Sequence, residues 1–210
     1  NFQFEDVAKK TVFGGVEMCG AQATWIDWDL DGDVDLFVGN FCGPSRAYRN
    51  DGGGKFTDVT EAAGFKTPGD MSAFMPPEKK LDFGAIGTTA GYFFGSGYPD
   101  IFVQGWGWRQ FYKNNGDGTF TRLTSLPAND PENQGGVSLG CNWGDYDNDG
   151  WLDLFVANRY GQNKFLYHNN RDGTFTKIIN SIAVHDGGDS WASAWGDYDN
   201  DGFLDLFVGN

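Results

Sequence analysis

The stretch Trp195-Gly-Asp-Tyr-Asp-Asn-Asp-Gly-Phe-Leu-Asp-Leu-Phe-Val-Gly-Asn210 decides how the rest of the chain is read, because close copies of it recur upstream. Its acidic core is D-x-D-x-D-G-x-x-D, with carboxylates at Asp197, Asp199, Asp201 and Asp205. Carboxylates at positions 1, 3 and 5 converge on one point when the backbone curls around it. Gly202 at position 6 permits the sharp turn, and the carbonyl of Phe203 at position 7 can face inward. Together these oxygens make a cage suited to Ca²⁺. Two carboxylates about 4 Å apart repel by roughly 4 kcal/mol at an effective dielectric near 20, so the cage calls for a cation. Position 9 closes the loop, and Leu204 to Val208 read as a buried strand. The sequence therefore predicts a calcium loop inside a β-hairpin. An EF-hand differs, closing with Glu at position 12 between two helices.

The loop recurs at Asp27 and Asp145. The predicted cages are Asp27, Asp29, Asp31 and Asp35 with the Asp33 carbonyl, and Asp145, Asp147, Asp149 and Asp153 with the Trp151 carbonyl. A fourth copy is eroded, with Tyr92, Phe94 and Ser96 in place of the first three acids, although Gly97 and Asp100 remain. Three calcium ions are expected and the second repeat is expected to hold none. Starting points at 27, 92, 145 and 197 give spacings of 65, 53 and 52. A period of about 50 residues containing only strands predicts a propeller blade of four strands.

Each repeat divides into four parts. Strand A is made of small residues, as in Gly20 to Thr24, Val137 to Cys141 and Trp191 to Ala194, which suits crowding around a central axis. Trp25, Trp143 and Trp195 precede the loops and are expected to pack between neighbouring blades. Strand B is Asp35 to Val38 and its copies at 100, 153 and 205. Strand C ends at Asn50, Asn114 and Asn169, followed by Gly-rich turns that need positive φ. Strand D starts at Phe56, Phe120 and Phe175. The expected division is an orphan strand D in 1–15, blades in 16–65, 83–126 and 127–180, an apolar insertion at 66–82, and half a blade in 181–210. The fold class is thus an all-β propeller of about three and a half four-stranded blades, and the family resemblance given below implies that they are part of a seven-bladed ring. A blade holding A, B and D strands cannot close regularly, so a longer molecule or a second copy is expected to cover its edges.

Acids outnumber bases 29 to 15, for a formal charge of -14, which argues against nucleic acid or an anionic membrane surface as partner. Three calcium ions carry six positive charges and would bring -14 to -8. No run of 18 apolar residues is present, so no membrane insertion is expected. No signal peptide is visible and the chain opens on Asn1, which reads as a processed form or a fragment. Cys19 and Cys42 flank the first acidic loop and are candidates for a disulfide across that hairpin. Cys141 reads as a small buried thiol.

These residues resemble the FG-GAP/VCBS repeats of integrin α-subunit propellers and of many large secreted bacterial proteins, and the likeness spans nearly the whole chain. It rests on W-G-D-Y-D-N-D-G-x-L-D-L-F-V, present twice. The resemblance implies an extracellular propeller with calcium in the A–B loops on one face and partners on the opposite face. There the B–C loops offer Phe41, Arg46, Trp106, Trp108, Arg109, Arg159 and Tyr160 as a candidate ligand face for sugars or proteins. The expected function is a binding, cell-adhesion or assembly module, with protein, glycan or self-copies as partners. A carbohydrate-binding propeller and part of a polysaccharide-active enzyme are the alternatives. No catalytic residues are expected: His168 reads as a solvated strand edge, His185 lies in a D–A loop, and neither G-x-S-x-G nor H-E-x-x-H occurs.

Overall fold

The computed structural model describes residues 5–6, 10–13, 20–41, 43–65, 84–105, 108–123, 137–185 and 187–210. Cys19, Cys42, Trp106, the insertion at 66–82, and Phe4 and Val7 of the orphan strand lie outside them. Four antiparallel sheets follow one another along the chain. The first is β1 (Gly20–Ile26), β2 (Asp35–Asn40), β3 (Arg46–Asn50) and β4 (Phe56–Asp58). The second is β5 (Ala85–Gly91), β6 (Asp100–Gly105), β7 (Arg109–Asn114) and β8 (Phe120–Leu123). The third is β9 (Ser138–Gly144), β10 (Asp153–Asn158), β11 (Phe165–Asn169) and β12 (Phe175–Ile178). The fourth holds β13 (Ala192–Gly196) and β14 (Asp205–Gly209). Every sheet is ordered as in sequence, so each is a meander of hairpins. This is a β-propeller, present in part.

Small side chains let the innermost strands β1, β5, β9 and β13 lie against one another in turn. A Cβ on Gly140 would stand 2.9 Å from the Trp191 carbonyl oxygen, so only glycine admits β13 this close to β9. Polar contacts add register between blades. Asn114 Nδ2 donates to the Trp28 carbonyl at 2.8 Å, and Asn169 Nδ2 to the Phe93 carbonyl at 2.9 Å. These strand C asparagines also accept an N–H from the following turn, at Gly116 and Arg171.

The core lies between consecutive sheets rather than within one. Between the second and third, Trp143 stacks on Phe93 at 4.1 Å and meets Phe102 and Phe111 edge-on. Between the third and fourth, Trp195 meets Phe155 edge-on at 6.2 Å. The second repeat has Ala90 where the others have this tryptophan. Phe65, from the turn after β4, takes over, packing on Phe37, Tyr112 and Phe120. Trp25 departs from its expected role: it is 55% exposed, with Phe56 of its own sheet as an edge-on neighbour. At the other end Phe207, the counterpart of Phe155, is 74% exposed beside a cleft of about 570 Å³. Position in the repeat sets what a tryptophan can touch, and the neighbouring blade decides whether it does. No helix among the described residues is long and apolar enough to cross a membrane.

Candidate metal centres

The three acidic loops share one set of turn hydrogen bonds. The carboxylate at position 1 accepts the N–H groups of positions 5 and 6: Asp27 from Asp31 and Gly32, Asp145 from Asp149 and Gly150, Asp197 from Asp201 and Gly202. The carboxylate at position 5 accepts from position 7, at 2.9 Å for Asp31 and Asp33 and 2.8 Å for Asp149 and Trp151, and likewise for Asp201 and Phe203. Carboxylates also converge within each loop. In each, one carboxylate oxygen from positions 1, 3 and 9 lies within 4.8 Å of the others: Asp27, Asp29, Asp35; Asp145, Asp147, Asp153; and Asp197, Asp199, Asp205. Each group could hold a metal ion.

The surroundings fit an oxygen-loving cation. Asp29 Oδ1 is buried with no hydrogen-bond partner, a position that a cation would satisfy. Burial, then the neighbouring Asp31 carboxylate, raises the Asp29 pKa. Burial also pushes Asp35 and Asp153 up to about 6, against the backbone N–H groups that bond them. Carboxylates this reluctant to ionise are under strain that bound positive charge relieves. Asp149 runs the other way. Burial would raise it, but the hydrogen bonds from Arg171, 2.6 and 2.8 Å long, the Trp151 N–H and the nearby positive charge together hold it below the usual range.

Position 9 has a second duty that the sequence pattern does not reveal. Its Oδ1 accepts the strand C N–H of Asn50, Asn114 or Asn169, each at 2.8 Å, and its Oδ2 accepts an N–H from the loop. Asp100 does both in the eroded repeat, fully buried, with burial pushing its pKa up to about 6. That structural role accounts for an acid surviving where positions 1, 3 and 5 are Tyr92, Phe94 and Ser96. Position 4 is likewise constrained, with Leu30, Gly95, Asn148 and Asn200 all near φ +60°. Asparagine tolerates that left-handed backbone better than leucine. Leu30→Asn should therefore raise stability by about 1 kcal/mol, seen as a melting temperature roughly 2–4 °C higher. An unchanged melting temperature would show that Leu30 carries no such strain.

His168 is not the solvated edge its alignment with Arg49 and Lys113 suggests. Its Nδ1 lies 3.3 Å from both Asp147 and Asp153, and its side chain is 28% exposed. The strand C position brings a basic group to the acidic cluster, and proximity to position 9 is the reason.

On the opposite face the candidate residues separate. Trp108 and Arg109 are 2% exposed and cannot serve as a platform. Trp108 joins the core between the first two sheets. Arg109 bonds Ser138 and Asn158 and lies 4.5 Å over the Phe165 ring, so it seals the next blade junction. Arg46 is ion-paired with Asp58 at 3.3 Å, and Phe41 is half-buried. Arg159 and Tyr160 do come together at the surface, joined by Trp191 and Asp189, which the sequence reading did not single out. Cys141 is buried and free, and burial pushes its thiol up to about 12.

Comparison with solved structures places the chain on a known architecture. A lectin of Agrocybe aegerita that recognises non-reducing terminal N-acetylglucosamine superposes with a TM-score of 0.56 at 17% identity, over 93% of this chain and 49% of the lectin chain. At that identity the likeness establishes the fold alone, and the chain spans about half the length of the lectin. No curated protein matches the chain in sequence. The FG-GAP-like repeat profile matches residues 27–75, 93–156 and 145–208, well over half of the chain. The chain belongs to the FG-GAP-like repeat family.

Proposed function

We propose that the chain is a calcium-stabilised, extracellular propeller segment that works as a binding module for adhesion or assembly. The observation that carries this reading is the threefold recurrence of convergent carboxylates in loops closed by identical hydrogen bonds. Carboxylate and carbonyl oxygens on an irregular nine-residue loop suit Ca²⁺, which accepts flexible geometry, better than Mg²⁺, which demands a near-ideal octahedron. Titration calorimetry on metal-free chain should give three Ca²⁺ per chain, one for each acidic loop. A stoichiometry of four would place an ion in the eroded repeat, and zero would remove the calcium reading altogether.

A carbohydrate ligand is the second reading, favoured by the lectin with which the fold is shared. A glycan array that includes terminal N-acetylglucosamine separates it from protein-only binding. Catalysis finds no support in the histidines. His185 Nε2 is bonded to the Ile179 carbonyl at 2.6 Å, and His168 sits in the second acidic cluster.

A further inference from the structure

The repeats provide an internal control for what each blade position must contain. At the start of strand A the register slips by one residue, between Gly20 and Gln22 and between Ala85 and Gly87 in the first two blades. In the third blade the same slip falls opposite Ala157 and Asn158. Such a bulge re-aims one side chain out of the sheet. In the second and third blades the residues there are Ile86 and Leu139, so the fold asks only for an aliphatic group. In the last repeat the aligned residue is Trp191, one position before β13, and it is 57% exposed. Nothing in the blade requires an exposed indole at this position.

Trp191 also has organised company. The Arg159 guanidinium lies 4.0 Å from its ring centre and 4.9 Å from that of Tyr160, which is 58% exposed. With Arg159 on one face of the indole, the exposed area belongs to its other face and edge. Asp189 pairs with Arg159 at 3.1 Å, accepts the Tyr160 N–H at 3.0 Å, and keeps its side chain half exposed. Tyr160 itself is held at φ 59°, a conformation bulky residues rarely adopt. Buried anchors fix the two loops beneath it. Lys164 Nζ donates to the Gly188 carbonyl at 3.0 Å, and the Ser190 N–H to the Asn158 carbonyl at 3.1 Å. The platform is therefore pre-organised, which lowers the ordering cost of binding.

We infer that Trp191, Tyr160, Arg159 and Asp189 form a carbohydrate site at the junction of the third and fourth blades, taking a neutral pyranose. The open indole offers a flat apolar face to the C–H face of a sugar ring, while the half-exposed Asp189 carboxylate accepts its hydroxyls. Charge selects the class. Asp189 offsets Arg159, the Lys164 ammonium is buried against the Gly188 carbonyl, and the chain carries -14, so the cations here are already engaged and an acidic sugar is disfavoured. This inference deepens the binding-module reading and rests on it.

The test uses the calcium-loaded chain, its calcium stoichiometry, and a panel of neutral and acidic pyranosides followed by ligand-observed NMR. Wild type should bind a neutral pyranoside. Trp191→Leu, which installs the residue type of the third blade, should weaken that binding at least ~10-fold, as expected for loss of an aromatic anchor. Asp189→Asn should weaken it too, and both variants should keep the wild-type melting temperature and calcium stoichiometry. Undiminished neutral-sugar binding by Trp191→Leu would overturn the site while leaving a sugar-binding module elsewhere on the chain. Binding of acidic sugars alone, or of none by a chain that takes up calcium, would overturn the inference but not the calcium propeller. A chain that takes up no calcium would fail the broader reading on a separate measurement.

Discussion

Chelating calcium should lower the melting temperature by roughly 10 °C per occupied site, and removing all three ions should leave the fold at the margin of stability. A ligand that binds only the folded state adds RT ln(1 + [L]/Kd), or about 4 kcal/mol at a thousandfold excess over Kd. Each kcal/mol is worth about 2–4 °C for a chain of this size. Three sites together rival the whole stability of an ordinary domain, about 5–15 kcal/mol. Asp147→Ala, which touches one loop, should cost less than full chelation. Thermal melts with calcium and with a chelator make the comparison, and superimposable curves would refute calcium stabilisation.

The same effect should fade in acid, and its sign follows from the raised carboxyls. In the metal-free fold Asp35 and Asp153 hold their protons up to about pH 6, whereas an unfolded aspartate releases its proton near 3.8. The native state thus binds more protons between those values. These groups support the metal-free fold below about pH 4, and that support is lost as pH rises through about 6. Calcium binds only the ionised carboxylates, so protons compete with it below pH 6. The gain in melting temperature on adding calcium should be smaller at pH 5 than at pH 7.5. Equal gains at both values would exclude Asp35 and Asp153 as ligands.

Trp143→Ala should cost about 3 kcal/mol, or roughly 6–12 °C, with calcium present or absent. The indole stacks on Phe93 at 4.1 Å and lies within about a ring width of Phe102, Phe111 and Phe175, so its removal opens a cavity across a blade junction. Trp25 occupies the same repeat position but is 55% exposed, so Trp25→Ala should cost less than about 1 kcal/mol. Thermal melts of the two variants side by side decide it. Equal losses would mean that the repeat position, rather than the neighbouring blade, sets the energy.

That contrast marks where sequence alone suffices. The acidic loops are legible because their determinants lie within nine residues: Asp27 meets the N–H of Gly32, and Asp145 that of Gly150, whatever the rest of the chain does. The hairpins and their order are legible for the same reason, since turn residues and the repeat period are local properties. What crosses from blade to blade is not. Phe65 fills the space left by Ala90 some 25 residues on, Arg109 is buried against Ser138 and Asn158, and His168 joins the cage that Asp147 and Asp153 begin. Trp191 shows the limit most plainly. In the sequence it is one more residue of a small-residue strand. Its exposure and the Arg159 guanidinium of the preceding blade over its ring are settled only when two blades have come together, since neither is a local property of the strand.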